Sequence, residues 1–257
     1  MIDTISRRKT TVDGSAVADA ARDQKEGGVC SPYNACHVYA DIVIRAEHFD
    51  EFLLRKAMKS STEIVTIIQD TFQRVRFQVA MGTEAQKILD EPNAGGSSMV
   101  SEALSAEYLA RRFGATNVVT EMAIQYWLSN WKKIDYIATV YGRRVGISVT
   151  RAMGFPRPGD FAMENARRLC EKKLFGLVVA RAGISEAHSY DRSILHVWCQ
   201  TDEISNMMYI AFNEIVSEDK AQNPLNPTLS GSITMILTVC DTIEGVYTED
   251  FSCFQEQ

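Results

Sequence analysis

The chain has 257 residues, of which 46% are hydrophobic and 23% charged. That composition excludes a largely disordered or collagen-like polymer and suits one large domain or a domain with an extension. Its longest apolar runs are about six or seven residues, as at Leu174 to Ala180, far short of the roughly 20 that a membrane helix needs, so no membrane partner is expected. The formal net charge of −6 divides into −2 over residues 1–100, +5 over 101–200 and −9 over 201–257. The total argues against a polyanion ligand, whereas the cationic middle permits one.

Residues 1–28 are polar and without periodicity, and end in Gly27-Gly28, the pattern of a mobile tail. Cys36 to Ile44 alternates as a strand, and His48 to Lys59 reads as a short helix. Ser60 and Glu63 make a capping box ahead of Ile64, Ile67, Ile68, Phe72, Val75 and Val79 at helical spacing, so a helix is expected there. Residues 29–94 are therefore expected to form a mostly helical N-terminal extension. The main α/β domain would occupy residues 95–257.

Glu91 to Ser98 reads as a loop with good N-cap chemistry, whose Gly95-Gly96-Ser97-Ser98 caps the next helix or holds an anion. Met99 to Phe113 follows as a helix closed by Gly114. The period then changes to two. Thr116 to Trp127, Lys133 to Tyr141 and Val145 to Ala152 are strand candidates, the last two joined by a turn at Gly142-Arg143. Asp160 to Lys173 is expected as a helix and Leu174 to Ala180 as a central strand. Ser193 to Cys199, Thr201 to Val216 and Ser232 to Cys240 then read as strand, helix and strand. This order predicts a mixed central sheet flanked by helices.

The six cysteines have neither the density nor the spacing of a disulfide framework, and the first residues lack a secretory h-region. An intracellular location, cytoplasmic or nuclear, is the expectation. No P-loop, dinucleotide fingerprint, nucleophile elbow or zincin motif is present. The four histidines are scattered, and His196 within Ile194 to Trp198 reads as a satisfied core histidine.

What remains is Ile134-Asp135-Tyr136 on one strand candidate and Gly146-Ile147-Ser148-Val149-Thr150-Arg151-Ala152 on the next. Together with the preceding helix and strand, these residues resemble the αβββαβ core of the PD-(D/E)XK superfamily, the restriction-endonuclease-like nucleases. The resemblance spans roughly residues 99–180. It implies a nuclease acting on DNA or RNA, with Mg²⁺ or Mn²⁺ held by acids from two adjacent strands and by a helix-borne Glu. Asp135 matches the first acid. Ser148 falls at the second acid position and Thr150 at the lysine position, both departures from the family pattern. In one branch of the family the second acid moves to the following helix, where Glu164 stands, although its helical wheel places it opposite the buried stripe.

The implied metal residues are Glu107, Glu121 and Asp135, and the catalytic set is Asp135, Ser148, Thr150 and Glu164. Each has a plainer alternative. Glu107 can pair with Arg111 one turn on, Asp135 can serve as a strand-end hydrogen-bond acceptor, Glu121 can sit on a solvated face, and Ser148 and Thr150 can be ordinary strand residues. Lys132, Lys133, Arg143, Arg144 and Arg151 are the candidate phosphate contacts if they converge near Asp135. Trp127 and Trp131 could stack on bases, or pack as a lid. The alternative function is a nuclease fold without cleavage, serving as a nucleic-acid-binding or assembly subunit. A further reading has the acidic 201–257 region docking a basic protein partner.

Overall fold

A hairpin opens the fold. Strands β1 (Asn34–Val38) and β2 (Ile42–Glu47) pair antiparallel, with Ile42, Ile44 and Ala46 turned inward at alternate positions. Helix α1 (His48–Lys59) carries Asp50 and Glu51 in its first turn and Lys56 and Lys59 in its last, complementing its dipole at both ends. The computed structural model describes residues 34–60, 66–91, 98–223, 229 and 233–254. The expected tail at 1–28, Glu63 of the expected capping box with Ile64 after it, and most of the Glu91 to Ser98 loop lie outside them.

The helix expected after Ser60 is instead strand β3 (Thr66–Arg74), with Thr66, Ile68, Asp70 and Phe72 buried in alternation. Its period of two is hidden in the sequence because one inward position is an aspartate. Asp70 is accommodated in the core by the Tyr108 hydroxyl at 2.6 Å and Arg112 Nε at 3.1 Å, and the β-branched Thr66, Ile67, Ile68 and Thr71 favour the extended chain. The expectation of a mostly helical N-terminal extension is thereby corrected. Residues 34–74 supply three strands to the common sheet, and Tyr33 to Gln257 form one compact unit.

Helix α2 (Thr83–Leu89) precedes α3 (Met99–Phe113), which Gly114 closes in the left-handed conformation. Next come β4 (Thr116–Thr120), shorter than expected because a 3₁₀ turn at Glu121–Ala123 follows it, then β5 (Tyr136–Val140) and β6 (Arg143–Ala152). The β5–β6 turn is Tyr141-Gly142, both at positive φ (49° and 78°), a two-residue loop whose twist matches the strands. Helix α4 (Met163–Gly183) runs straight through Leu174 to Ala180, so no strand forms there. Ala166, Cys170, Leu174, Leu177 and Ala180 make a buried helical stripe while Phe175 is 62% exposed. The apolar run is three residues of that stripe with three less buried apolar residues and a glycine between them, a run that a strand buried on both faces would also produce. Strand β7 (Arg192–Cys199), helix α5 (Asp202–Gln222), strand β8 (Ile233–Val239) and the short α6 (Gly245–Thr248) complete the fold.

The eight strands form one sheet in the order β1-β2-β3-β8-β7-β6-β5-β4. β3, β8, β7 and β6 are parallel in the middle, and both flanks are antiparallel. One core packs α1, α2, α3 and α6 on one face, and a second lies beneath α4 and α5 on the other. The α/β architecture with helices on both faces is thus as expected. A polar chain crosses the first core: Ser105 Oγ lies 2.7 Å from both the Tyr136 hydroxyl and His196 Nδ1, and His196 Nε2 lies 3.0 Å from Thr238 Oγ1. Burial lowers the His196 pKa to about 3, so this histidine is neutral and structural. Among the described residues no helix is long and apolar enough to cross a membrane.

Candidate functional site

The site begins where two strands part company. β5 and β6 pair as far as Tyr136 opposite Ile147, and the Asp135 amide still donates to the Ile147 carbonyl at 3.0 Å. Beyond that point β6 runs on to Ala152, and the Val149 peptide groups on this side would lack ladder partners, a costly state for half-buried backbone. Two side chains take their place. Asp135 Oδ2 accepts from the Val149 amide at 2.5 Å, and Lys173 of α4 donates from Nζ to the Val149 carbonyl at 2.8 Å.

A second carboxylate feels the charge at this fork. Glu102, in the first turn of α3, is pushed up to about 8 by burial first and then by the charge of Asp135, with the Ser98 hydrogen bond and Lys173 opposing. Glu121, in the 3₁₀ turn after β4, is likewise raised by burial and then by Asp135, and Lys133 lies 3.6 Å from it. The Lys173 ammonium is pulled down by burial; Asp135 counters that, and the neighbouring Lys132 adds to it. The charge of Asp135 is thus felt by Glu102, Glu121 and Lys173. Among the described residues no three His, Cys, Asp or Glu side chains are grouped closely enough to hold a metal ion between them.

The sequence-derived residues divide accordingly. Asp135 and Glu121 are near enough for the charge of the first to raise the pKa of the second. Glu107 does not join them: its carboxylate accepts from the Gly82 amide at 2.6 Å and from Arg111 Nε at 2.5 Å, and Arg111 continues to Asp41. The plain intrahelical pairing is the correct account of Glu107, and Glu102, five residues earlier, is the acid of α3 that feels Asp135. Ser148 and Thr150 alternate with Val149 and so share the Ala152 side of β6, beneath α4. Asp135 touches the Val149 backbone and neither hydroxyl. Glu164 is exposed at the start of α4, as its wheel position required.

The basic residues divide too. Arg143 and Arg144 stand at the far end of β6, Arg143 3.9 Å from Asp191 and Arg144 bonded to the Ala187 carbonyl at 2.9 Å. Six residues of strand separate Val149 from Arg143, about 20 Å of extended chain, which removes this pair from the fork. Lys132 lies against α4, its Cε only 3.1 Å from where a Cβ on Gly176 would be. The loop that carries Lys132 and Lys133 is pinned by Trp131, whose Nε1 donates to the Val179 carbonyl at 2.7 Å. Its ring occupies the space that a Cβ on Gly183 would fill. Trp131 is thus a packing residue, whereas Trp127 is 70% exposed.

Past the fork, the end of β6 and the first turns of α4 enclose a cavity of about 620 Å³ lined by Arg151, Phe155, Asp160, Phe161, Arg168 and Lys172 among others. Asp160 is turned to Arg157, accepting from its amide at 3.0 Å. Arg151 meets Glu249 at 2.9 Å. Among the described residues neither Arg168 nor Lys172 forms an ion pair. Glu102 is the residue that sequence reasoning missed, and Lys173, one of the paired basic residues of the cationic middle, is given no place beside Asp135 by its sequence position. The wheel favoured Glu107 on α3, and the expected helix ended at Lys173 itself, which hid that this residue has a buried side.

No family model matches the chain, and no solved structure does. It is similar to a Dictyostelium discoideum protein, the AAC-rich mRNA clone AAC4 protein, with 35% identity over 129 residues. The matched stretch is 48% of this chain and 19% of that relative, so the similarity spans about a fifth of the longer protein.

Proposed function

We propose that the chain is a divergent PD-(D/E)XK-like protein that hydrolyses DNA or RNA phosphodiesters with Mg²⁺ or Mn²⁺. The observation that carries this reading is the β5–β6 fork itself, where Asp135 and Lys173 meet the two sides of the Val149 peptide and the charge of Asp135 raises the buried Glu102 carboxyl. Buried acids that raise one another's pKa are concentrated at functional sites. The element order α3-β4-β5-β6-α4-β7, with a three-strand meander and a parallel return of β7 onto β6, adds support from the fold.

The donor set suits Mg²⁺, which keeps several waters and is usually bound through one or two carboxylates plus substrate phosphate rather than by a closed protein cage. Glu102 and Asp135 would hold it. When bound, the ion would supply Lewis-acid polarisation of the phosphate and a water of lowered pKa. The protein's own part is to orient Asp135 through the Val149 amide, to place the Lys173 ammonium beside the reacting phosphate, and to bring the strand across α4 through Lys132 and Lys172. Hydrolysis forms one P–O bond from water and breaks the P–O bond to the leaving oxygen.

The test is incubation of the full chain with single- and double-stranded DNA and RNA in Mg²⁺ or Mn²⁺. Cleavage lost in Asp135→Asn and Glu102→Gln supports the reading, and cleavage unchanged in both overturns it. One observation favours a second reading, a nuclease fold that binds nucleic acid without cutting it. Asp135 is already engaged by the Val149 amide, and the β6 residue beside it is an apolar valine. Calorimetry separates the two, because a divalent site lost in Asp135→Asn contradicts the binding-only reading.

A further inference from the structure

The nuclease reading leaves open which form of nucleic acid reaches the fork, and the surface of α4 bears on that choice. Arg168, Lys172 and Phe175 follow one another at i, i+4 and i+7, one outward stripe of the helix. Asn165 begins that stripe, and Lys132 lies against Gly176 at its other end. From Asn165 to Gly176 the stripe is about 16 Å long. It carries cations at Arg168, Lys172 and Lys132, and an aromatic ring at Phe175 that is 62% exposed. At the Asn165 end it opens into the cavity bounded by Phe155 and Phe161. Phe155 is 85% exposed at the edge of that cavity, which leaves its ring face open to a base.

We propose, resting on the nuclease reading above, that the substrate is a single strand, its phosphates following Arg168, Lys172 and Lys132 while one unstacked base enters the cavity against Phe155 and Phe161. The cavity volume lies within the ordinary range for small-molecule sites and exceeds what a base requires. In a duplex the base faces are occupied by stacking, and a base reaches such a pocket only after extrusion. Exposed aromatic rings interleaved with cations along a groove are the physical signature of single-strand binding, since every base has a π-face to stack. Arg168 and Lys172 form no ion pair among the described residues, and both line the cavity.

The test is fluorescence anisotropy of the full chain with short labelled oligo(dT), oligo(U) and a duplex of equal length, in EDTA so that binding is read apart from cleavage. Single strands should bind at least about tenfold more tightly than the duplex. Phe155→Ala should weaken single-strand binding about tenfold, within the range for loss of one base–aromatic stack, and Phe49→Ala, an exposed aromatic of α1, should not. Arg168→Ala should reduce the salt slope by about 0.7, as for one phosphate contact on a single strand. The dT and U arms decide between DNA and RNA. Equal affinity for duplex and single strand, or an unchanged Phe155→Ala, overturns the proposal. The two readings fail separately: tight single-strand binding with no cleavage in Mg²⁺ refutes the nuclease alone, whereas preferred cleavage of duplex refutes the single-strand proposal alone.

Discussion

Asp50→Asn is expected to stabilise the protein at alkaline pH and to leave it nearly unchanged in acid. Asp50 sits in the first turn of α1, 8% exposed. Its carboxyl is pushed up from 3.8 to about 7 by burial, then by the charges of Asp70 and Glu47, with Arg112 opposing. The folded state therefore keeps a proton that the unfolded state has released anywhere between those two values. Stability is fully present below the unfolded pKa and is lost as pH rises through the folded one. Three pKa units correspond to about 4 kcal/mol, which solvent reaching the helix end reduces to about 2 kcal/mol. Asparagine preserves the acceptor oxygen and cannot ionise, so urea unfolding should show the gap between wild type and variant widening by about 2 kcal/mol from about pH 4 to about pH 8. In a domain of this size that is roughly 4 to 8 °C in Tm. A gap that stays constant with pH, or a variant less stable at the alkaline end, refutes the argument.

Two further substitutions probe how the fork is held in place. Arg112→Met removes the cation from Asp70, whose side chain is wholly buried against it, and should cost about 3 to 5 kcal/mol in urea unfolding; a loss below about 1 kcal/mol would show that α3 is not anchored through this pair. Gly183→Ala places a methyl carbon 2.0 Å from Trp131 Nε1 and should destabilise by about 1 to 3 kcal/mol with a change in tryptophan fluorescence. An unaltered emission spectrum would contradict the packing assigned to that ring.

The core α/β order was legible because its signals are local. Gly114 ends α3, the alternation of Ser193 to Cys199 marks β7, and the period change after Gly114 announces the meander. Two elements were misassigned because tertiary packing overrode the local pattern. Asp70 sits on the inward face of β3 only because Arg112 and Tyr108, about 40 residues away, receive it there, so alternation looked like a helical spacing. Leu174 to Ala180 reads as a strand when taken alone, and as one side of α4 when joined to Ala166 and Cys170. The site follows the same rule. Asp135 stood out as an acid in an apolar strand, whereas Glu102 acquires meaning only from Asp135, and Lys173 only from a helix that continues past it.

The division of charge between a cationic middle and an anionic end is partly an internal arrangement. Arg167 pairs with Glu218 and Glu214 of α5, and Arg151 pairs with Glu249, so the acidic segment is folded back onto the basic one instead of being wholly available to a basic partner. The Glu249 contact matters most because Arg151 lines the cavity beside the fork. Glu249→Gln retains an acceptor for the Val100 amide and withdraws the negative charge that faces Arg151, so a phosphate can approach that cation with less repulsion. For a single strand each added phosphate contact steepens the dependence of log affinity on log salt by about 0.7. The variant should therefore bind oligo(dT) or oligo(U) more tightly at low salt and with a slope steeper by that amount, read by anisotropy over a potassium chloride series. An unchanged slope would mean that Arg151 faces Glu249 for structural reasons alone and that the cavity floor does not meet the nucleic-acid backbone.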